Sequence, residues 1–203
     1  NDTVVRMVRR YWDVLGQPQR SVIISRWNGY HGSTMAGASL GGMKGMHEQG
    51  GLPIPGIVHI DQPYWFENGA GMTRDEFGLA CARQLESKIT ELGADKVAAF
   101  IGEPIQGAGG VIIPPKGYHA RFKAICEKHD ILYISDEVVT GFGRCGEWFA
   151  SEKVFGVVPD IITFAKGVTS GYVPLGGLAI SEAVLARISG ENANGSWFTN
   201  GYT

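Results

Sequence analysis

The chain has 203 residues, of which 44% are hydrophobic and 19% are charged, with 18 basic and 20 acidic residues and a formal net charge of −2. This composition is that of an ordinary globular chain with enough apolar material for a sizeable core. No basic stripe or block of like charge indicates a nucleic-acid or membrane-surface partner, and no apolar run approaches the length of a membrane span.

The cysteines and histidines argue against disulfides and metals. Cys81, Cys126 and Cys145 show neither CxxC spacing nor an even count. This usage favours free thiols in a reducing compartment, so we expect a cytoplasmic protein. The five histidines do not cluster at ligand spacings, and we expect no metal site.

Short apolar runs alternate along the chain with segments of helical periodicity. Strands are predicted near residues 21–25, 57–60, 97–101, 132–136, 160–166 and 178–181. Helices are predicted near residues 1–16, 73–92, 114–129 and 182–188, with a helix start and a long loop over 33–56 and an irregular segment over 63–72. This alternation predicts an α/β fold with right-handed crossovers, in which a mainly parallel sheet has helices on both faces. We expect residues 1–203 to form a single domain.

Two of the predicted strands end in an ionisable residue, Asp136 in one and Lys166 in the other. Neighbouring strands of an open parallel sheet deliver such residues to one ligand crevice. A lysine amine partly shielded from water can form a Schiff base with a carbonyl, and an ionised carboxylate keeps a pyridine ring protonated. The pair therefore suits pyridoxal phosphate (PLP), although an Asp that closes a strand is more often a turn residue and a Lys before Gly is usually solvated.

Several motifs are more specific than strand position. They are Tyr30-His31-Gly32, Glu103-Pro104-Ile105-Gln106-Gly107, Asp136-Glu137-Val138, Gly141-Phe142-Gly143-Arg144, Pro159-Asp160 and Ala165-Lys166-Gly167. Together they closely resemble the signature of class III aminotransferases, which are fold-type-I PLP enzymes, and in particular the ω-transaminase (amine:pyruvate) branch. The resemblance covers essentially the whole chain. It implies a large PLP-binding domain from which three parts are missing. These are the N-terminal edge strand, the phosphate-holding turn that ends in an Asn matching Asn1, and the small C-terminal domain.

The resemblance implies that Lys166 and Asp136 are catalytic. Lys166 would hold PLP covalently and then act as a general base, and Asp136 would pair with the protonated ring nitrogen. Tyr30 and Val138 would pack on opposite faces of the ring.

Three further residues are implied to bind the cofactor. Glu103 would line the pocket near the ring side opposite the phosphate, although its carboxylate could equally be satisfied by the 107–110 loop. His31 belongs to the Tyr-His-Gly motif, and we assign no chemistry to it. Thr203 would bind the phosphate of a neighbouring subunit's PLP, so we expect a homodimer.

The expected reaction moves an amino group from a primary amine or ω-amino acid to a keto acid. Pyruvate is the favoured acceptor because Ala108 stands where several α-ketoglutarate-using relatives carry a glutamate. An aminomutase or decarboxylase on the same scaffold, or a catalytically silent binding fragment, remains an alternative. The aromatic run Tyr64-Trp65-Phe66 could border a substrate pocket or pack in the core.

Overall fold

Six strands form the framework of the computed structural model, which describes residues 1–189 and Phe198. The strands are β1 (Val22–Arg26), β2 (Ile57–Ile60), β3 (Val97–Gly102), β4 (Leu132–Asp136), β5 (Ile161–Phe164) and β6 (Gly177–Ile180). They make one sheet in the order β2-β1-β3-β4-β5-β6. Each strand lies within about two residues of its predicted position.

The sheet is parallel from β2 to β5, and β6 runs antiparallel to β5. Parallel neighbours need a crossover connection, usually a helix. Residues 165–176, which join β5 to β6, contain a single 3-10 turn at Lys166–Thr169 in place of such a helix. The chain therefore returns antiparallel, and the prediction of a mainly parallel sheet is confirmed.

The helices in the described part of the chain fall into long and very short ones. They are α1 (Asp2–Val14), α2 (Met35–Leu40), α3 (Lys44–His47), α4 (Trp65–Asn68), α5 (Arg74–Leu92), α6 (Tyr118–Lys128), α7 (Ala150–Lys153) and α8 (Glu182–Ile188). The sequence predicts a loop where α3 lies and an irregular segment where α4 lies. Each has four residues, too few for a 3.6-residue periodicity to be visible in the sequence.

Helices cover both faces of the sheet, as predicted. One hydrophobic cluster joins α1, α2 and α8 to the sheet, and a second joins α5 and α6 to the opposite face. Consecutive strand residues divide between the two clusters, as with Ile23 and Ile24 in β1, because side chains alternate across a strand. Burial on both faces explains why these strands read as continuous apolar runs.

The strand order places a crevice at the carboxyl edge of the sheet. Strand β1 lies between β2 and β3, so the chain moves from β1 to β2 on one side and then crosses back to β3 on the other side. Ligands bind outside the strand ends at such a switch point. Among residues 1–189, no helix combines the length and apolar character needed to cross a bilayer. The assignment of residues 1–203 to a single domain stays a prediction.

Candidate active site

A cavity of about 1020 Å³ opens at the carboxyl ends of β1, β3, β4 and β5. This volume lies at the upper end of the range for small-molecule sites. Its lining includes the predicted residues that follow each strand, namely Tyr30, His31, Glu103, Asp136, Val138 and Lys166. Thr203, the remaining predicted residue, lies outside the described part of the chain. The roles of all seven stay predictions.

Asp136 is the most buried acid of this cavity, with 2% exposure, and three donors surround it. His31 Nδ1 lies 2.7 Å and Asn1 Nδ2 2.9 Å from Oδ2, and the Val138 backbone N–H donates to Oδ1 over 3.1 Å. Because a carboxylate only accepts hydrogen bonds, Nδ1 of His31 carries the hydrogen. The Asn1 amide also donates to the carbonyl of His31 and ties the start of α1 to the site.

The pKa of Asp136 is set by burial, which raises it, and by hydrogen bonds and a nearby charge, which lower it more. Burial by itself raises this pKa, but the bond and charge of His31, the Val138 N–H and the Asn1 amide together hold it below the ordinary value. The buried carboxylate is therefore ionised at neutral pH. Among the described residues its Oδ1 atom accepts the Val138 N–H, and it can accept a further hydrogen bond.

Lys166, predicted to end a strand, reaches the same cavity from the 3-10 turn that follows β5, two residues beyond the strand end at Phe164. Thr163, three residues earlier, pairs with Asp136 across β4 and β5. The Lys166 backbone has φ +45°, the left-handed region that non-glycine residues seldom adopt. Its side chain is exposed and makes no hydrogen bond or ion pair with any described residue. The described residues thus provide a free amine but not the partial shielding from water that we expected.

A close approach of two motif loops fixes the turn at Lys166. A Cβ atom added to Gly167 would lie 2.9 Å from the Phe142 Cβ and 3.3 Å from the Gly141 carbonyl oxygen. Glycine at 167 is therefore required where the Ala-Lys-Gly motif meets the Gly-Phe-Gly-Arg motif.

Glu103 both lines the cavity and binds the 107–110 loop, so the two alternatives that the sequence left open are compatible. The residue lines the cavity and is 3% exposed. Its Oε1 atom accepts the Tyr30 backbone N–H at 3.0 Å, and Oε2 accepts the Gly107 N–H at 2.8 Å. The 107–110 loop thus satisfies half of the carboxylate, and the other half anchors the segment that carries Tyr30.

Glu137 is a buried acid to which the sequence analysis gave no role. Its carboxylate accepts hydrogen bonds from the Thr140 hydroxyl, the Ala150 N–H, and both the N–H and the hydroxyl of Ser151. These partners lie up to 14 positions away along the chain. The only signal in the sequence is its place in the Asp-Glu-Val motif. It acts as a tie between the end of β4 and α7.

The aromatic run 64–66 lies outside the main cavity. Tyr64, Trp65 and Phe66 line a separate cavity of about 270 Å³, and the Arg74 guanidinium lies 5.1 Å from the Trp65 ring and 5.4 Å from the Phe66 ring. Phe66 is 75% exposed, whereas Trp65 is partly buried and packs against the hydrophobic cluster that joins α5 and α6 to the sheet. The two cavities share Val111 in their linings.

Comparison with known proteins agrees with this geometry. The chain is 57% identical over 203 residues to a putrescine–pyruvate aminotransferase of Pseudomonas aeruginosa, covering 100% of this chain and 43% of the relative. A solved (S)-enantioselective omega-transaminase from Thermomicrobium roseum superposes with a TM-score of 0.93 at 44% identity, covering 100% of this chain and 44% of that one. An omega-transaminase from Pseudomonas jessenii in complex with PMP gives a TM-score of 0.92 at 42% identity, covering 98% of this chain and 44% of that one.

The chain therefore spans less than half the length of the curated relatives it matches. The family model described as "Aminotransferase class-III" matches residues 1–202. With this match added to the strand order and the residues gathered at the cavity, the chain belongs to the class-III aminotransferase family.

Proposed function

We propose that the protein is a PLP-dependent aminotransferase that moves an amino group from a primary amine or ω-amino acid to a keto acid, with pyruvate as the favoured acceptor. The single observation that carries the proposal is the meeting of Asp136 and Lys166 at one cavity. One is a buried, ionised carboxylate and the other a free amine, and they come from adjacent strands. The family match and the similarity to a putrescine–pyruvate aminotransferase support amino transfer.

The donor set of the cavity fits PLP. Asn1 Oδ1 and Thr163 Oγ1 are buried, line the cavity and have no hydrogen-bond partner among the described residues, so they leave polar capacity for a ligand. The N-terminus of α1 borders the cavity through Thr3 and Val4, and a helix N-terminus favours a phosphate. Tyr30 and the β-branched Val138 supply an aromatic and an aliphatic wall for a flat ring.

Bound PLP supplies an aldehyde that reacts with amines and a ring that withdraws electrons from the reacting carbon. Lys166 Nζ would hold the cofactor through its aldehyde carbon and, when not so engaged, would take the proton from the substrate carbon that bears the amino group. Asp136 would hold the proton on the ring nitrogen, and Tyr30 and Val138 would keep the ring oriented.

The assembly and the location of the protein are further parts of the proposal. Thr203 would contribute to the phosphate site of a partner subunit in a homodimer, which rests on the family resemblance alone. The free thiols of Cys81, Cys126 and Cys145 support a reducing, cytoplasmic environment.

The test is Lys166→Ala in the intact protein, assayed by alanine formation from pyruvate and an amine donor. We expect turnover to fall by at least about 10²–10⁴-fold, the usual contribution of a general acid–base group. Borohydride should fix the cofactor to the wild-type chain and not to the variant. Lys153→Ala is the matched control because Lys153 is exposed and pairs with Glu152, away from the cavity.

Each alternative predicts a different result. Release of carbon dioxide, or amino-group migration within one substrate, would replace the proposal by a decarboxylase or an aminomutase. A wild-type protein that neither binds PLP covalently nor forms alanine would support a silent binding domain.

A further inference from the structure

Arg26 is a buried cation that the proposed chemistry leaves unexplained. It ends β1, is 1% exposed and lies outside the lining of the main cavity. Its Nη2 atom donates to the backbone carbonyl of Glu103 over 2.6 Å, and its guanidinium carbon lies 5.7 Å from the Tyr118 ring centre. Among the described residues no carboxylate pairs with it, and Nε and Nη1 have no partner. Burying a charge in this way is unfavourable unless the contacts it makes are needed.

The sheet is shaped to receive this guanidinium. A Cβ atom added to Gly102, the last residue of β3, would lie 3.1 Å from both Cζ and Nη2 of Arg26. Any larger residue at 102 would push the guanidinium away from the Glu103 carbonyl. The contact is therefore built by two neighbouring strands rather than made by a side chain at the surface.

His119 makes the equivalent contact one residue further along. Its Nε2 atom lies 2.9 Å from the Pro104 carbonyl oxygen, and its Nδ1 atom lies 2.7 Å from the Tyr133 hydroxyl. A carbonyl only accepts, so Nε2 carries the hydrogen and Nδ1 accepts from the tyrosine. Burial, together with the charge of Arg26, lowers the pKa of His119 to about 3, so the ring is neutral at working pH.

These two contacts fix the backbone that carries Glu103. The Glu103 carbonyl is bound by Arg26 from β1 and the Pro104 carbonyl by His119 from α6. The Glu103 carboxylate in turn receives the backbone N–H groups of Tyr30 and Gly107, and both of these residues line the cavity. Movement of the 103–104 peptide would therefore be transmitted to two walls of the cavity.

We propose that Arg26 and His119 are positioning residues, which clamp the Glu103–Pro104 peptide so that the Glu103 carboxylate holds the Tyr30 wall and the Gly107 loop in register with the cofactor site. This inference rests on the proposed aminotransferase function. Neither residue lines the cavity, so Arg26 acts through the Glu103 carbonyl and His119 through the adjoining Pro104 carbonyl.

The first test is a double-mutant cycle that combines Arg26→Met with Glu103→Ala. Arg26→Met should fold, because it removes two buried nitrogen atoms, Nε and Nη1, that have no partner among the described residues, and keeps an unbranched apolar stem. We expect it to lower kcat by about 10–100-fold, since small misplacements of binding groups have effects of this size. If Arg26 acts through the carboxylate, the double variant will be no slower than Glu103→Ala alone. Losses that multiply would overturn the proposal.

The second test measures how firmly the Tyr30 and Gly107 amides are held, without an activity assay. Amide hydrogen exchange of the cofactor-free protein should speed up at Tyr30 and Gly107 in Arg26→Met. Cys126→Ala is the matched control, because Cys126 is fully buried on the same face of the sheet in α6 and contacts neither carbonyl. It should lower Tm and leave exchange at both amides unchanged. Equal exchange in Arg26→Met and wild type would contradict the proposal.

His119 offers a test that is independent of Arg26 and remains available if Arg26→Met does not fold. The amide of His119→Gln can still donate to the Pro104 carbonyl, whereas His119→Leu cannot. We expect fast exchange at Tyr30 and a reduced kcat in His119→Leu, with both restored in His119→Gln. Identical behaviour of the two variants would remove His119 from the clamp. Failure of the wild type to form alanine would refute the proposed function instead, and the exchange results would still decide the clamp.

Discussion

Asp136 illustrates how a buried acid can stay charged. Its 2% exposure would favour the neutral form, but three donors converge on its two oxygens. His31, to which the sequence analysis assigned no chemistry, is the most important of them. The acid–histidine contact therefore keeps Asp136 ionised, which its proposed role beside a protonated ring requires.

Asp136→Asn should keep the fold and lose most of the activity. The amide has nearly the same shape, but it carries no charge to hold the ring nitrogen in its protonated form. We expect kcat to fall on the order of 10²-fold or more, as for the loss of other preorganised electrostatic groups. Steady-state kinetics and far-UV circular dichroism of the variant are the measurements, and an unchanged kcat would remove Asp136 from the mechanism.

His31→Leu should shift the pH dependence of stability. The folded pKa of Asp136 lies below its ordinary value, so its ionisation stabilises the fold above the unfolded pKa, and this contribution is lost as the pH falls through the folded pKa. Without His31, burial is opposed by fewer hydrogen bonds and the folded pKa rises. Tm measured between about pH 3 and 7 should therefore begin to fall at a higher pH than in the wild type.

His31→Asn provides the control for this experiment. Its amide can occupy the position of Nδ1 and donate to Asp136. We therefore expect Tm to fall at acidic pH in nearly the same way as in the wild type. Superimposable Tm profiles for His31→Leu and wild type would mean that His31 does not tune the acid.

At the scale of elements, the connection from β4 to α7 is held by one carboxylate. Glu137 accepts three hydrogen bonds from Ala150 and Ser151 at the start of α7 and a fourth from Thr140. The loop between Glu137 and α7 carries Phe142, whose φ of +57° is unusual for a bulky residue. The acid therefore supports the Gly-Phe-Gly-Arg motif that packs against Gly167.

Glu137→Gln should destabilise the protein by about 1–3 kcal/mol. The amide nitrogen cannot accept, so at least one pair of donors, from Ser151 or from Thr140 and Ala150, loses its partner in a buried site. Urea unfolding measures the change. Glu152→Gln, an exposed acid on α7, is the control and should leave the free energy of unfolding nearly unchanged. Equal effects of the two substitutions would contradict this account.

At the scale of the whole molecule, a cofactor in the crevice would join four strands. The cavity is lined from the ends of β1, β3, β4 and β5 and from the first turn of α1. A ligand that contacts all of them binds the folded state and has no comparable site in the unfolded chain. Binding is thus coupled to folding of the sheet as a unit.

PLP should therefore raise Tm in a concentration-dependent way. At a hundred times its Kd, a ligand of the folded state adds about 2.7 kcal/mol to the free energy of unfolding. Differential scanning fluorimetry across a PLP series gives the shift, and inorganic phosphate at the same concentrations is the control for the phosphate group alone. A Tm that does not respond to PLP would count against the proposed cofactor.

Local signals explain what could be predicted from the sequence. The Thr73–Glu76 pair forms a capping box, with the Thr73 hydroxyl accepting from the Glu76 N–H and the Glu76 carboxylate accepting from the Thr73 N–H. It starts α5 at Arg74, one residue past the predicted start of the helix. The predicted strand at Ile57–Ile60 agrees with the structure at both ends. Caps, turns and side-chain periodicity each depend on a few consecutive residues, which a sequence displays directly.

The sequence alone thus determined the parallel α/β framework, the strand end at Asp136 and the class-III motifs, whereas Lys166, predicted to end a strand, begins the 3-10 turn that follows β5. The tertiary structure decided which polar groups meet: His31 with Asp136 across 105 positions, Arg26 with the Glu103 carbonyl across 77, and Ser151 with Glu137 across 14. These contacts depend on which strands become neighbours and on the direction in which each buried side chain leaves its backbone. Neither property is a function of nearby residues, because strand order results from packing the whole sheet between its two helical layers.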